Sequence, residues 1–522
     1  MSLRKGFYMF YSILFPTQEQ HEEARQTDVP TCFKDLNLDL IFAPILKLKK
    51  EFELEEFFYT SIYAQDVITY RQDVMRELEE KNLRALFSEF SKSIYDIGKY
   101  MNTIRSSLTV KDSWHNNYVT RGQMLDYADR YCRTISTLLD GLSNHKLRSG
   151  GLCGVREYLA TYCTSEDYTG LLKHIRKLRD EFSTVKYCML IKEGTIRVRR
   201  YEEQADHSEQ ILASFEKFRQ GDVTDYRRKL PEEPYVAHVE AAVLGMVAEL
   251  YKDIFADLND FCSKFFRFDD ETILRFSREI QFYLSWLDFI KPLREMGLAF
   301  CYPKMCETNE HLCALDSFDL ALARMEYGKT VVNDFTLKTP EHIIVVTGPN
   351  QGGKTTFARA FGQIHYLASL GLCVPGREAV LFLYDNILTH FGQEEDLSTL
   401  NGKLQDDLVR LRSIFDKATS RSIIIVNEIF ASTTLSDALL LGGYMMDSLS
   451  LLGAPAVIVT FLDELASHGA ETVSMMSTIS ADDPTKRTFK VVRKPPDGLA
   501  YAIHIASKHE LTYEQLCGRL KK

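Results

Sequence analysis

The sequence predicts a multidomain protein of α and α/β class, an all-α first part carrying one small β-hairpin followed by an α/β domain opened by a phosphate-binding loop. Three observations predict it. Residues 342–363, HIIVVTGPNQGGKTTFARAFGQ, read as strand, glycine loop and helix. From about Leu40 to Ala299 apolar residues recur three or four apart with few glycines or prolines. From about Phe300 short apolar runs alternate with helical patterns, as a parallel α/β sheet requires. The expected domains are 1–299 and 300–522.

The loop is the most specific signal. Gly348, Pro349, Asn350, Gln351, Gly352, Gly353, Lys354 and Thr355 fit G-x-x-x-x-G-K-[ST] at every fixed position, and Thr356 continues into the helical pattern. Phosphate oxygens need several backbone N–H donors at close range, which glycines permit because no Cβ blocks the approach. Lys354 is expected at the β- and γ-phosphates, and the Thr355 hydroxyl at a Mg²⁺ ion whose remaining ligands are phosphates and water. ATP and Mg²⁺ are the implied cofactors.

Further strands are expected at AVLFLY (379–384), SIIIVN (422–427), AVIVTF (456–461) and TFKVVR (488–493), each short enough for a buried parallel strand. The run SIIIVNEIF ends in Asn427 and Glu428, and a carboxylate at a strand end after a phosphate loop can orient or deprotonate the attacking water. Glu428 is the candidate catalytic residue. His390 and the acidic run 393–396 read as a solvated loop.

In the helical part the clearest stripe runs Ile273, Phe276, Ile280, Leu284, Leu287 and Ile290, with Asp269 as the expected N-cap and Pro292 as the expected end. Val185 to Tyr201 breaks the pattern, two β-like runs flanking Lys192-Glu193-Gly194, and predicts a hairpin. Residues 171–200 hold nine basic against three acidic side chains. Lys192, Arg197, Arg199 and Arg200 are the candidate contacts to a phosphate backbone.

The 522 residues carry a net charge of −10, so bulk attraction to nucleic acid is absent and any such contact needs a local patch. Eleven scattered cysteines without a C-x-x-C pair argue against a disulfide framework or zinc site and fit a cytoplasmic protein. Gly6 to Pro16 mimics a signal-peptide core without a cleavage site and is expected to be packed structure. No apolar run approaches the ~18 residues of a membrane span. The 26 tyrosines and 32 phenylalanines, many at helical spacing, are expected in cores.

Residues 300–510 resemble the MutS mismatch-repair ATPases. The resemblance rests on TGPNQGGKTT, Val332-Asn333-Asp334 before it, GLCVPG at 371–376, ATSRSIIIVNEIF at 418–430 and Asp437; Asp66 to Arg71 and the long helices more weakly resemble that family's core and lever helices. It implies an ABC-type ATPase domain with dimerisation helices at its carboxy terminus, and a homodimer in which Ser398 and Thr399, with Leu400, reach the other subunit's nucleotide. The basic hairpin would stand where a DNA clamp lies.

This sequence also departs from the family's pattern. Asn427 stands where the family has an aspartate in the Mg²⁺ shell, Phe461 where it has a γ-phosphate-sensing histidine, and Lys403 where it has a glutamate. The mismatch-reading domain is expected to be missing, and Phe7-Tyr8-Met9 lacks the glutamate of its wedge. The expectation is ATP binding with slow hydrolysis, coupled to dimer closure and clamping of double-stranded or branched DNA in repair or recombination, with a repair partner the sequence does not name. The alternative is an ATP-gated dimeric switch that recruits a protein, with little hydrolysis and no DNA role.

Overall fold

The computed structural model describes residues 10–23, 28–109, 117–192, 195–203, 238–326, 328–392, 402–480, 487–496 and 511–520. They fall in two compact units that interleave along the chain: Met1–Ala85, Lys146–Val155 and Arg278–Lys522 form the first, Leu86–His145 and Arg156–Ser277 the second. The change of sequence pattern at residue 300 marks where strands become frequent; the units part elsewhere. Among the described residues no helix is long and apolar enough to cross a membrane. All eleven cysteines are free thiols.

The second unit is helical. On the helix Lys81–Thr109, Phe87, Phe90, Ile94, Ile97 and Met101 are buried at alternating spacings of three and four. On Asn117–Ser143 the buried set runs Met124, Ala128, Tyr131, Ile135, Leu138 and Leu142. That periodicity puts one stripe of each helix in a common core. The helix Glu166–Ser183 starts where the Ser165 hydroxyl accepts from Tyr168 N. Beyond it β1 (Tyr187–Lys192) and β2 (Thr195–Arg200) pair antiparallel.

The helix Glu271–Glu295 corrects two expectations. Asp270, not Asp269, caps it, its Oδ1 accepting from Ile273 N at 3.0 Å while Asp269 pairs with Arg105. Pro292 does not end it. Proline forfeits only its own N–H, a small loss so near the end, and the chain turns off at Gly297, whose φ of 88° lets Leu298 N reach Leu293 O at 3.2 Å. The expected one-sided stripe is also too narrow within the first unit, where Phe282, Tyr283, Trp286 and Leu293 are buried beside it.

In the first unit the strands are β3 (Phe300–Cys301), β4 (Lys304–Cys306), β5 (His311–Ser317), β6 (Asn333–Lys338), β7 (Ile343–Thr347), β8 (Val374–Pro375), β9 (Glu378–Phe382), β10 (Ile387–Phe391), β11 (Ile423–Asn427), β12 (Ala456–Val459), β13 (Thr472–Ile479) and β14 (Arg487–Arg493). The main sheet has the order β10-β11-β12-β7-β13-β14, parallel from β10 to β13. β14 is antiparallel, against the expectation of a parallel strand at 488–493. The run at 379–384 is β9, which belongs to a separate sheet ordered β4-β9-β5-β6.

The apolar strands are buried on both faces, and their alternate residues serve different layers. Ile343, Val345, Ile424, Val426 and Ile458 pack with Leu411, Ile414, Met445, Met446 and Leu449 of the helices Lys403–Lys417 and Leu435–Leu452. The other face meets the helix Lys354–Ser369, whose Gly362 has no room for a Cβ beside Ile425 and Leu36. Ser12, Ile13, Leu14 and Phe15 are buried, as expected for packed structure, with Ser12 Oγ and Ile13 N donating to Glu279 at 2.8 Å.

Candidate functional site

β7 is buried throughout and delivers the chain to the loop at Gly348. The backbone there takes left-handed φ angles at Gly348 (109°), Gln351 (58°) and Gly353 (95°). Glycine at Gly348 is required twice over, because an added Cβ would also stand 2.6 Å from Ser477 Oγ and 2.8 Å from Ser477 O. Gly353 then opens the helix Lys354–Ser369 with no side chain capping its first N–H groups.

Lys354 is buried, and its ammonium is folded back over the loop, donating to Gly348 O at 3.0 Å and Pro349 O at 3.3 Å, with Asn350 Oδ1 at 3.5 Å. Burial pushes its pKa below the ordinary lysine range; the Glu428 carboxylate pulls it back up and Arg487 adds to the fall. The face of Phe461 lies against the same ammonium, centroid 4.3 Å from Nζ.

β11 brings up the rest. Thr355 Oγ1 donates to Asn427 Oδ1 at 2.9 Å, so the two residues expected near the metal touch. Glu428 follows at a φ of 55°, partly exposed, with its N–H tied to Val459 O at 2.9 Å. Gln351, Gly352, Gly353, Lys354, Thr355, Thr356 and Glu428 line a cavity of about 380 Å³. Leu322, Glu326, Lys329, Val331, Asn333 and Phe489 complete its lining. Sequence reasoning missed Leu322, Glu326, Lys329 and Val331, which lie in no recognisable motif, and read Phe489 only as part of an expected strand. Asn333 joins the two ends: it is buried, donates to Phe489 O at 3.3 Å and accepts from Val491 N at 2.7 Å.

The donor set suits Mg²⁺ rather than an all-protein metal cage. Thr355 offers a hydroxyl, Asn427 an amide oxygen and Glu428 a carboxylate, and among the described residues no group of three or more His, Cys, Asp or Glu side chains forms a metal site. An ion that takes most of its shell from phosphates and water needs no more.

The hairpin divides its basic residues. Arg197 and Arg199 are exposed and share one face with their cross-strand partners Leu190 and Cys188. Arg200 is engaged, donating to Leu250 O and lying over the Tyr251 ring at 4.9 Å. Lys192 ends β1, its side chain outside the described residues. Of the neighbouring basic residues Lys177 pairs with Asp257 and Glu181, and Arg179 with Asp126 and Asp129, so part of the basic excess is neutralised within the unit. Ser398, Thr399 and Leu400, like the acidic run 393–396 and Phe7-Tyr8-Met9, lie outside the described residues.

Residues 344–514 match MutS domain V, a span that holds Lys354, Asn427, Glu428 and Phe461. The chain carries a MutS-family domain over that span. It is similar to the DNA mismatch repair protein MutS of Brevibacillus brevis, 28% identical over 41% of this chain and 25% of the relative. A Dehalococcoides mccartyi protein of the same name is 34% identical over 34% of this chain and 22% of its own length. Endonuclease MutS2 of Thermus thermophilus is 29% identical over 38% of this chain and 29% of its own. The chain therefore spans about a quarter of the length of these MutS relatives.

Proposed function

We propose that the chain is a nucleotide-gated, DNA-interacting protein of MutS type, binding ATP with Mg²⁺ at the loop 348–356 and hydrolysing it slowly. The observation that carries this is the convergence of Lys354, Thr355, Asn427 and Glu428 beside one cavity. The loop N–H groups and Lys354 would hold the phosphates. Thr355 and Asn427 would hold the ion, which supplies charge neutralisation to the β- and γ-phosphates when bound. Glu428 accepts the proton of the attacking water. Leu322, Val331 and Phe489, in the lining of the same cavity, give the base an apolar seat.

In this reading two copies close over the nucleotide, with Ser398 and Thr399 reaching across, and the helical arms clamp duplex or branched DNA through Lys192, Arg197, Arg199 and Arg200. Exposure of Arg197 and Arg199 supports the DNA role. A second reading, an ATP-gated dimer that recruits a protein and turns over little, is favoured by the neutral amide of Asn427 and the aromatic ring of Phe461 beside Lys354.

Lys354→Ala tests the nucleotide site. Equilibrium binding of labelled ATP is expected to fall at least about a hundredfold, since loss of a hydrogen-bonded charge partner costs about 3–5 kcal/mol. Unchanged affinity rejects the site. Binding of duplex, mismatched, branched and single-stranded DNA, with and without ATP, separates the two readings.

A further inference from the structure

Phe461 has a place that the nucleotide reading leaves unused. Its backbone is fixed at the end of β12, where Thr460 N donates to Val346 O at 3.1 Å and the buried Thr460 hydroxyl accepts from Leu462 N at 3.0 Å. The ring is thereby presented at the loop while remaining 47% exposed. Its centroid lies 4.3 Å from Lys354 Nζ, on an ammonium that already has loop carbonyls at 3.0 and 3.3 Å. An aromatic face attracts a cation without taking one of its N–H donors. Charged groups acting on the same ammonium are Glu428 and Arg487.

We propose that Phe461 is a positioning residue for Lys354: its ring face holds the ammonium over the loop, with its N–H donors free to pass from loop carbonyls to the phosphates of a bound nucleotide. This role rests on the proposed nucleotide site. A group that donated a hydrogen bond would repel the ammonium, and one that accepted would compete with phosphate for it. The π face does neither.

The test separates the ring's electrons from its shape. Phe461→Leu removes the ring at similar volume, and 3,4,5-trifluorophenylalanine at position 461 keeps the shape while withdrawing charge from the face. Two readouts are made on the full chain: the dissociation constant of Mg²⁺–ATP, and the rate at which an amine-acylating reagent modifies Lys354 without nucleotide, followed by mass spectrometry. Both variants are expected to weaken ATP binding about three- to tenfold and to speed acylation by a similar factor. Phe461→Tyr, which keeps the electron-rich face, is expected to recover both. If the fluorinated variant matches the unaltered protein in both measurements, shape alone acts and the role of Phe461 falls while the nucleotide site stands. If the unaltered protein binds no ATP, the site and the role fall together.

Discussion

At the candidate phosphate loop Lys354 and Thr355 make side-chain hydrogen bonds within the site, whereas at the hairpin Arg197 and Arg199 stand on a two-stranded ribbon whose Tyr187, Met189 and Leu190 are themselves half-exposed. The loop is fixed through Ser477 beneath Gly348 and Gly352, through Asn427 against Thr355, and through Val459 against Glu428. Nothing comparable fixes Arg197 or Arg199 among the described residues. The two regions therefore carry unequal marks in the sequence. Binding phosphate through N–H groups constrains the backbone, and that constraint shows as glycines at set spacing. Carrying positive charge constrains nothing, so the same residue types serve internal ion pairs, as Lys177 and Arg179 do.

The largest effect is expected at Glu428. If the strand end is the chemical centre, Glu428→Gln lowers steady-state ATP turnover by about 10²–10⁴-fold while labelled-ATP affinity changes only a few-fold. Normal turnover would take the general-base role away from it. Next in size is Asn427→Asp, which restores a carboxylate at the same Thr355 contact. Hydrolysis is expected to rise between severalfold and roughly a hundredfold, in keeping with a screened charge–charge interaction of up to about 3 kcal/mol. A fall in rate would mean that the site is built around the amide.

At the hairpin the effects are expected to be smaller and salt-dependent. Replacing Arg197 and Arg199 together by glutamate should weaken duplex binding about tenfold at low salt. The slope of log affinity against log salt should shrink by about 1.8 if two phosphate contacts are lost. Lys177→Ala, already occupied by Asp257, should change anisotropy titrations far less; equal losses would reduce the patch to bulk charge. The smallest pair calibrates ordinary helix stability in the two units. Ser165→Ala and Thr434→Ala each remove a cap hydroxyl, and each should cost about 1 kcal/mol in denaturant unfolding. A much larger loss at Thr434, whose hydroxyl also donates to Asp437 at 2.8 Å, would tie that cap to the nucleotide site.

The sequence made the loop legible to the residue, and the structure unites Lys354, Thr355, Asn427 and Glu428 because strands β7 and β11, separated only by β12, end on the same side of one parallel sheet. β10 and β13 escaped because His390 and Ser474, Ser477 and Thr478 interrupt their apolar pattern; His390, read as part of a solvated loop, is instead a buried residue of β10. β9 looked like a member of the main sheet because a buried apolar run carries no mark of which sheet it joins. The rest of the cavity lining was illegible for another reason. Leu322, Lys329 and Phe489 are single residues from separate elements, brought together only by tertiary structure. Phe461 was visible as an unexpected residue, but its contact with Lys354 depends on the turn after β12.

The hydrogen bonds from Ser12 and Ile13 to Glu279 set a timetable for synthesis. Ser12 and its carboxylate partner are 267 positions apart. At roughly 5–20 residues per second, the ribosome needs on the order of ten to fifty seconds to make the partner after the donor. Every residue of the second unit has been made by Ser277, before the third segment of the first unit begins at Arg278. The unit that holds the phosphate loop is thus begun first and completed last. Ser12 and Leu14 meet Tyr70 and Arg71 early, but the carboxylate that ties down Ser12 and Ile13 arrives only after that interval.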